Sequence, residues 1–277
     1  MVAGKHWEKY EILDHGKTIR LQPGLIGQRV NDLLKPYGRK LGRRKLGPDP
    51  ASVKSAMMGG IVMNNASGMN CGTHANSDKM MNSVRIILAD GTVLDTGDEA
   101  SRKAFRKARP DFIRSIEQLR DKVRANKKLC DRINYKYAIK NVTGLNILPF
   151  VRFDDPFDII AHLMVGSEGT LAFLAGVSMN TEYDYPFKAS AMLYFKDIRE
   201  ACKAVVAMKK LVDDKGQWIV KSAELLDKKS LASVNDTTGE GLTAILTETK
   251  SRRRPRSCEP TSRRLRSASR RSPHTYR

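Results

Sequence analysis

Residues 46–72 read LGPDPASVKSAMMGGIVMNNASGMNCG, and residues 83–96, SVRIILADGTVLDT, follow with the pattern of two strands around a turn. The first stretch is rich in residues with little or no side chain, and in asparagine: Gly59, Gly60, Asn64, Asn65, Ala66, Ser67, Gly68 and Gly72. Such residues leave backbone N–H groups accessible to an anion. The stretch therefore predicts a loop that binds a diphosphate, beside a β-sheet.

Strand patterns lie on either side of this loop. Apolar and β-branched residues at 83–88 and 92–94 flank Asp90–Gly91, a preferred hairpin turn. A further strand is predicted at 18–21, where TIRL precedes a Pro-Gly turn. These strands predict a sheet next to the glycine-rich loop.

Helical patterns account for much of the remaining chain. Apolar residues recur at helical spacing between residues 25 and 37 and between residues 99 and 132, where Pro110 divides the run into two helices. After Pro186 the patterns alternate between strand and helix through residue 248. This mixture predicts an α+β fold.

The positive charge is unevenly distributed. The chain carries a formal charge of +20, and residues 251–277 contribute ten arginines against one glutamate. This tail has almost no apolar residues, which predicts disorder. The other excess cations include GRKLGRRK at 38–45, where positive charge favours an anionic ligand. A solvated surface is an equally good explanation for most of the lysines.

Composition excludes several classes of protein. No run approaches the roughly 18 apolar residues of a membrane span, and the N-terminus lacks the apolar segment of a secretory signal. We therefore expect a cytoplasmic protein with no membrane span. The four cysteines are far apart and form no CxxC pair, so we expect no metal site and no iron–sulfur cluster on this chain.

Four motifs together resemble the FAD-binding domain of the vanillyl-alcohol-oxidase or PCMH type. They are IRLQPGLIGQRVNDLLKPYG with GPDPAS (19–52), GGIVMNNASG (59–68), ILADGTVLDTGD (87–98) and VGSEGTLAF (165–173). Within that family the chain resembles bacterial FAD-linked D-lactate and D-2-hydroxyglutarate dehydrogenases, from about residue 18 to residue 249. The resemblance implies FAD as cofactor and a mixed sheet flanked by helices, followed by the start of an α+β ferredoxin-like cap domain.

The resemblance also implies a division of the chain. Residues 1–188 would form the FAD-binding domain with a helical insertion at about 99–135, and residues 189–250 an incomplete cap. Residues 251–277 would form the disordered tail. We expect a chain truncated at both ends, without the small first subdomain of the family and without the end of the cap.

By resemblance, three segments hold the FAD, and one of them is a turn at Gly59–Gly60 with the loop that continues to Gly68. The predicted cofactor-binding residues are Pro48, Asp49, Ala51, Ser52, Gly59, Gly60, Asn64, Asn65, Ser67, Gly68, Gly166, Glu168, Gly169 and Thr170. Gly166, Gly169 and Thr170 would turn the chain back against the cofactor. A glycine pair by itself would more often mark an ordinary tight turn, and Glu168 would equally well cap an element end.

Two residues are candidates for catalysis. Lys140 lies in a segment that resembles the substrate side of the flavin, and it is suited to stabilise negative charge on reduced flavin or on a carboxylate. His74 follows the glycine-rich loop, and histidine is the usual side chain for taking a hydroxyl proton. Each has a plain alternative as a solvated loop residue. His162, in an apolar helix, is expected to be structural.

The implied reaction is hydride transfer from the α-carbon of a D-2-hydroxy acid, such as D-lactate, to N5 of the flavin. The electrons would pass to a separate acceptor, for which an iron–sulfur protein is one candidate. A complementary fragment or a second copy of the chain is a further expected partner. The alternative is a non-catalytic remnant whose basic tail binds nucleic acid or anionic surfaces without specificity.

Overall fold

The computed structural model describes residues 4–38, 43–212, 216, 218–233 and 243–251. The strands are β1 (Tyr10–Leu13), β2 (Thr18–Leu21), β3 (Arg43–Leu46), β4 (Met81–Ile87), β5 (Val93–Asp95), β6 (Phe173–Asp184), β7 (Phe187–Phe195), β8 (Val220–Leu226) and β9 (Thr243–Ser251). The helices are α1 (Gly27–Leu34), α2 (Met58–Met63), α3 (Ser77–Met80), α4 (Glu99–Ala108), α5 (Pro110–Ala125), α6 (Lys127–Tyr137), α7 (Pro149–Arg152), α8 (Pro156–Leu163), α9 (Ile198–Met208) and α10 (Lys228–Ser233).

The first sheet is organised around its longest strand, β6. Its strand order is β1-β2-β6-β4-β5, and β3 pairs with the distal part of β6. Ile19 of β2 and Val84 of β4 lie opposite Met179 and Val177 of β6. The predicted α+β fold, the hairpin at Asp90–Gly91 and the strand at 18–21, now β2, are confirmed. Strands β1 and β3 had no clear sequence signal.

All strand pairs in the described part of this sheet are antiparallel, whereas a mixed sheet was expected. The connections between β1 and β2 and between β4 and β5 are short turns, and a parallel pair would need a much longer crossover. The turn at Asp90–Gly91, where Gly91 has a φ of +83°, joins β4 to β5.

One face of the first sheet forms the core. Ile19, Val84 and Met179 are almost fully buried, as are Val30 of α1 and Ile160 of α8. Burial of an aliphatic side chain of this size contributes about 1.5–3 kcal/mol. The alternation of buried and exposed positions along β2 and β4 fixes which face meets the helices. This packed layer holds the loops described below.

The segment after β5 forms three helices, whereas two were expected. Pro110 begins α5 as predicted, but a second break occurs at Asn126. The side chain of Asn126 accepts a hydrogen bond from the N–H of Leu129, so this residue is the N-cap of α6. The apolar spacing continues across the break, which is why periodicity alone did not reveal it.

A second, three-stranded antiparallel sheet has the order β7-β9-β8 and packs against α9. It confirms the predicted alternation of strands and helices after Pro186. The predicted domain limits, 1–188 and 189–250, stay predictions. The arginine-rich tail beyond Ser251 lies outside the described residues. Within the described ranges, no helix is both long and apolar enough to span a membrane.

Candidate cofactor site

The Gly59–Gly60 pair lies in a helix and does not form the predicted turn. Met58, Ile61 and Val62 are buried, and this apolar set drives the formation of the short helix α2. The N–H of Gly59 donates to the carbonyl of Pro23 (2.9 Å), and a Cβ at Gly59 would lie 2.8 Å from Pro23 Cβ. A Cβ at Gly60 would meet no atom within 4 Å, so the backbone there faces open space.

Asn64 and Asn65, at the end of α2, have different roles. Asn65 is 4% exposed and has a left-handed φ of 56°, the conformation in which helices commonly end. Its Oδ1 accepts a hydrogen bond from the N–H of Asp78 (3.3 Å), so this side chain is engaged within the protein. Asn64 is exposed, and its Nδ2 donates to Oε1 of Glu168 at 2.6 Å.

The predicted segment 166–170 is in direct contact with the glycine-rich loop. Besides the Asn64 contact, Glu168 donates its N–H to the carbonyl of Met63 (3.0 Å). Glu168 has a φ of 54° and Gly169 a φ of +76°, and a Cβ at Gly169 would meet no atom within 4 Å. The Thr170 hydroxyl donates to the carbonyl of Ser167 (2.6 Å) and closes the turn. Two motifs about one hundred residues apart therefore form one surface.

Gly166 contacts the segment that contains Lys140. Its φ is +91°, and a Cβ there would lie 2.5 Å from the carbonyl oxygen of Gly144. Only glycine permits this contact without a shift of the backbone. Lys140 itself reaches the glycine-rich loop, since its Nζ donates to the carbonyl of Gly68 at 3.1 Å.

The GPDPAS segment contacts the same loop from the other side. A Cβ at Gly68 would overlap the carbonyl oxygen of Asp49, so the two backbones are in contact. Pro48 is buried, whereas Ala51 and Ser52 are exposed in the turn that follows. The carbonyl of Ser52 accepts the N–H of Ala56 (2.7 Å), which fixes that turn.

This loop cluster contains polar atoms that the protein does not satisfy. Oδ1 of Asp49 and Oδ1 of Asn70 are buried, and neither has a hydrogen-bond partner among the described residues. Buried acceptors without a partner are costly, so they favour a ligand that donates hydrogen bonds. The hydroxyl groups and ring N–H of FAD are such donors, and the exposed backbone at Gly60 and Gly169 leaves room for its phosphates. The residues present therefore fit the cofactor.

The nearby Cys71 is packed inside this loop. Its Sγ accepts from the N–H of Gly68 (3.2 Å), and the side chain is 1% exposed. Burial raises the pKa of the Cys71 thiol, which keeps it protonated and unreactive. The thiol therefore acts as a small structural side chain.

A buried cluster around Asp78 was missed by sequence reasoning. The Asp78 carboxylate lies 2.9 Å from Arg152 Nη1, 3.1 Å from His162 Nδ1 and 3.5 Å from Asn146 Nδ2. Because a carboxylate only accepts, Nδ1 of His162 carries the proton in this contact. His162 is thus structural, as expected. No local pattern could have revealed this cluster, since its members are far apart in the chain.

The charge state of Asp78 follows from these contacts. Burial acts to raise the pKa of its carboxyl group, but the hydrogen bond from His162 and the positive charge of Arg152 outweigh burial and lower the pKa. Asp78 also donates its N–H to Asn65 at the end of α2, and Asn146 follows the Gly144 contact. The cluster therefore connects the segments that form the cofactor loops.

His74 lies in a separate cleft, between β6 and the second sheet. The cleft has a volume of about 830 Å³ and is lined in part by His74, Lys45, Lys209, Lys221 and Trp218. His74 is exposed, and its Nε2 lies 3.7 Å from Oε1 of Glu182. The lysines give the cleft a positive lining. Lys140 is not among the residues that line it.

Part of the basic segment 38–45 is structural. Arg44 in β3 is 8% exposed, donates to the carbonyl of Thr181 (3.0 Å) and stacks over the ring of Tyr183 at 4.1 Å. Its guanidinium is therefore used inside the protein, whereas Lys45 faces the cleft. Residues 39–42 lie outside the described residues.

Comparisons with known proteins find similar sequences. Residues 1–97 match the family described as FAD binding domain. The D-2-hydroxyglutarate dehydrogenase of Haemophilus influenzae is 25% identical over 177 residues, which cover 59% of this chain and 16% of that protein. The enzyme of the same name from Pantoea ananatis is 28% identical over 172 residues, which cover 60% of this chain and 16% of that protein.

The fold has a counterpart among solved structures. A structure of alkyldihydroxyacetonephosphate synthase superimposes with a TM-score of 0.50 over 89% of this chain and 39% of that chain, at 16% identity. This chain spans about a sixth of the length of the curated relatives that it matches. The predicted resemblance to FAD-binding proteins and D-2-hydroxyglutarate dehydrogenases, the predicted α+β fold and the predicted cofactor are confirmed. Residues 1–97 thus match an FAD binding domain, and the chain is similar, at low identity, to D-2-hydroxyglutarate dehydrogenases.

Proposed function

We propose that this protein is an FAD-linked dehydrogenase of D-2-hydroxy acids. The observation that carries the proposal is the convergence of the predicted segments: Gly68 contacts Asp49, Glu168 contacts Asn64, and Lys140 contacts Gly68. The relatives named D-2-hydroxyglutarate dehydrogenase support the reaction class.

The loop cluster would hold the cofactor. Asp49 and Asn70 offer unpartnered acceptors to FAD hydroxyl or N–H groups, and the glycines at 60, 68 and 169 allow a close approach of the backbone. FAD, when bound, supplies the acceptor for the hydride of the substrate α-carbon. Lys140 places a positive charge at this loop, where it stabilises negative charge.

The cleft beside the loop would take the substrate. Lys45, Lys209 and Lys221 provide cations for its carboxylate. His74 lies in the same cleft and would take the hydroxyl proton, with Glu182 orienting the ring. Loss of that proton and of the α-hydrogen converts the hydroxy acid to a 2-oxo acid. The two electrons leave to a separate acceptor.

The test is cofactor retention followed by anaerobic reduction. The purified protein is incubated with FAD, passed through gel filtration and mixed with D-2-hydroxyglutarate, D-lactate or the L isomer of each. We expect retained flavin that loses its visible absorption with a D isomer and keeps it with the L isomers. His74→Gln should slow the reduction while FAD stays bound. A colourless protein, or equal reduction by both isomers, would contradict the proposal.

A further inference from the structure

Helix α6 presents a row of cations to solvent. Lys128, Arg132 and Lys136 are all exposed and are spaced four residues apart, which places them along one face of the helix. We call these three residues the α6 row. Four residues further on, Lys140 donates to the carbonyl of Gly68. Lys136, the last residue of the row, is therefore four residues from the lysine that contacts the cofactor loop.

The α6 row differs from several arginines of the two preceding helices. On α4 and α5, Arg102 pairs with Asp155 and Asp158, Arg106 with Glu117, and Arg124 with Asp154, all at partly or largely exposed positions. No carboxylate among the described residues lies within ion-pair distance of the α6 row. Like charges at this spacing repel one another and destabilise a helix slightly. The charges of the α6 row therefore form no ion pair among the described residues.

Two large exposed side chains, those of Tyr135 and Ile139, lie close in sequence to the α6 row. Tyr135 is 72% exposed and Ile139 is 71% exposed, and the guanidinium of Arg132 lies 5.7 Å from the centre of the Tyr135 ring. Tyrosine and arginine are enriched at protein interfaces, where a ring and a planar cation bury area at little cost in rotamer freedom. The other face of α6 already packs into the protein through Ile133, which is 3% exposed.

We propose that the α6 row, Tyr135 and Ile139 form the docking surface for the electron acceptor, and that this acceptor is a one-electron carrier protein with an acidic surface. The inference rests on the proposed function, because only a reduced flavin needs such a partner. The acidic character follows from charge complementarity with the α6 row. The adjacent Lys140–Gly68 contact places the surface beside the cofactor loop.

Other anionic partners fit the surface less well. A helix that binds a membrane inserts its apolar face, but the apolar face of α6 is packed inward at Ile133. Nucleic-acid binding needs a longer basic track, whereas three charges four residues apart span only about 12 Å of helix. Electron-transfer complexes are small and transient, in keeping with a patch of this size.

Oxidation of the hydroxy acid to the 2-oxo acid releases two electrons and two protons. Two carrier molecules dock in turn and each takes one electron, so each carrier is reduced by one unit. Both protons are released to solvent, and the cofactor returns to its oxidised state.

The test uses two haem proteins of opposite charge as probes: cytochrome b5, which is acidic, and cytochrome c, which is basic. Their affinities for the FAD-loaded full chain are measured by titration at low salt and at 0.5 M salt. The variant Lys128→Glu/Arg132→Glu/Lys136→Glu is compared with Lys196→Glu/Arg199→Glu/Lys203→Glu, which makes the same charge change at exposed positions before and on α9. Flavin content and the rate of flavin reduction by the hydroxy acid are recorded for each.

We expect the α6 variant to weaken cytochrome b5 binding about tenfold or more at low salt, and the α9 variant to weaken it less than about threefold. The difference should shrink at high salt, because exposed charges are then screened. Tyr135→Ala should weaken binding at both salt concentrations. If the Glu variant misfolds, Lys128→Gln/Arg132→Gln/Lys136→Gln should show a smaller loss of the same kind.

The possible results separate the two proposals. Equal losses in the α6 and α9 variants would overturn the docking surface even if the hydroxy acid reduces the flavin. A selective loss in a protein that the hydroxy acid does not reduce would support the recognition of an acidic protein by this surface, but it would refute the proposed function and, with it, the role in electron transfer. A selective loss that is as large for duplex DNA or phosphatidylserine vesicles as for cytochrome b5 would overturn the assignment to an acidic protein.

Discussion

Nδ2 of Asn64 lies 2.6 Å from Oε1 of Glu168, and this hydrogen bond joins two surface loops that are 104 residues apart in the chain. Glu168 also donates its N–H to Met63, so both its side chain and its backbone bind the end of α2. Two of the three segments predicted to hold the cofactor are therefore one structural unit.

Removal of the Glu168 side chain should loosen this unit. Glu168→Ala deletes a hydrogen bond to a charged acceptor, a contact worth about 1–1.5 kcal/mol in an exposed setting, so we expect FAD to bind about tenfold more weakly. Glu168→Gln keeps an acceptor oxygen and should retain most of the affinity. Fluorescence titration with FAD measures both variants. Equal affinities for Glu168→Ala and the parent protein would show that the contact does not support the cofactor.

The close contact at Gly166 gives a stability prediction with an internal control. Gly166→Ala places a methyl group 2.5 Å from the Gly144 carbonyl in addition to the strain of a positive φ. Gly169→Ala has the same strain but open space. We expect a loss of about 1–3 kcal/mol for Gly169→Ala and a clearly larger loss for Gly166→Ala. Urea unfolding gives both values, and equal losses would refute the clash.

A substitution at Gly60 should change FAD affinity without lowering the free energy of unfolding. Its position in α2 is exposed and open, so Gly60→Ala should leave folding intact or raise the free energy of unfolding by up to about 1 kcal/mol. If FAD approaches the backbone there, the same methyl group should lower FAD affinity at least about tenfold. Thermal unfolding of the FAD-free protein and FAD titration are measured in parallel. Undiminished FAD affinity would remove Gly60 from the cofactor site.

The Asp78 cluster predicts a pH-dependent contribution to stability. Folding lowers the pKa of Asp78, so the unfolded chain binds the proton more readily. The contribution of ionised Asp78 to the free energy of unfolding is therefore complete above the ordinary aspartate pKa of about 3.9. It is lost as the pH falls towards the lower pKa of the folded state. Asp78→Asn should cost about 3 kcal/mol at pH 7, since Arg152 and His162 lose their buried partner.

The difference between Asp78→Asn and the parent protein should shrink as the pH is lowered below about 4, the ordinary range of an aspartate. Urea unfolding between pH 7 and the lowest pH at which both proteins remain folded measures this trend. Asp111→Asn is the matched control, because Asp111 forms an exposed pair with Arg114 and should change stability by less than about 1 kcal/mol at any pH. A gap for Asp78→Asn that does not vary with pH would contradict the assignment.

The parts of the fold that rest on local rules were predictable from the sequence. The hairpin at Asp90–Gly91 and the helix starts at Pro110 and Asp155 follow from the preferences of a few neighbouring residues. The Gly59–Gly60 turn was wrong because burial of Met58, Ile61 and Val62 outweighs the low helix propensity of glycine.

Long-range features had no such local signal. Strand β3 forms because Arg44 hydrogen-bonds Thr181 and stacks on Tyr183, partners more than a hundred residues away. The Asp78 cluster likewise depends on Asn146, Arg152 and His162. Resemblance identified Gly68 and Gly166 as cofactor-loop residues. It did not predict that they contact the backbones of Asp49 and Gly144.

The central position of β6 has a consequence for how the protein folds. Ile19 pairs with Met179, and β2, β3 and β4 all depend on the same strand for their pairing. Contacts of such long sequence separation close large loops and form slowly. During synthesis the cofactor loops would emerge from the ribosome early, yet the sheet that supports them would close only after Asp184. FAD would then act late, as a ligand that stabilises the completed sheet by mass action.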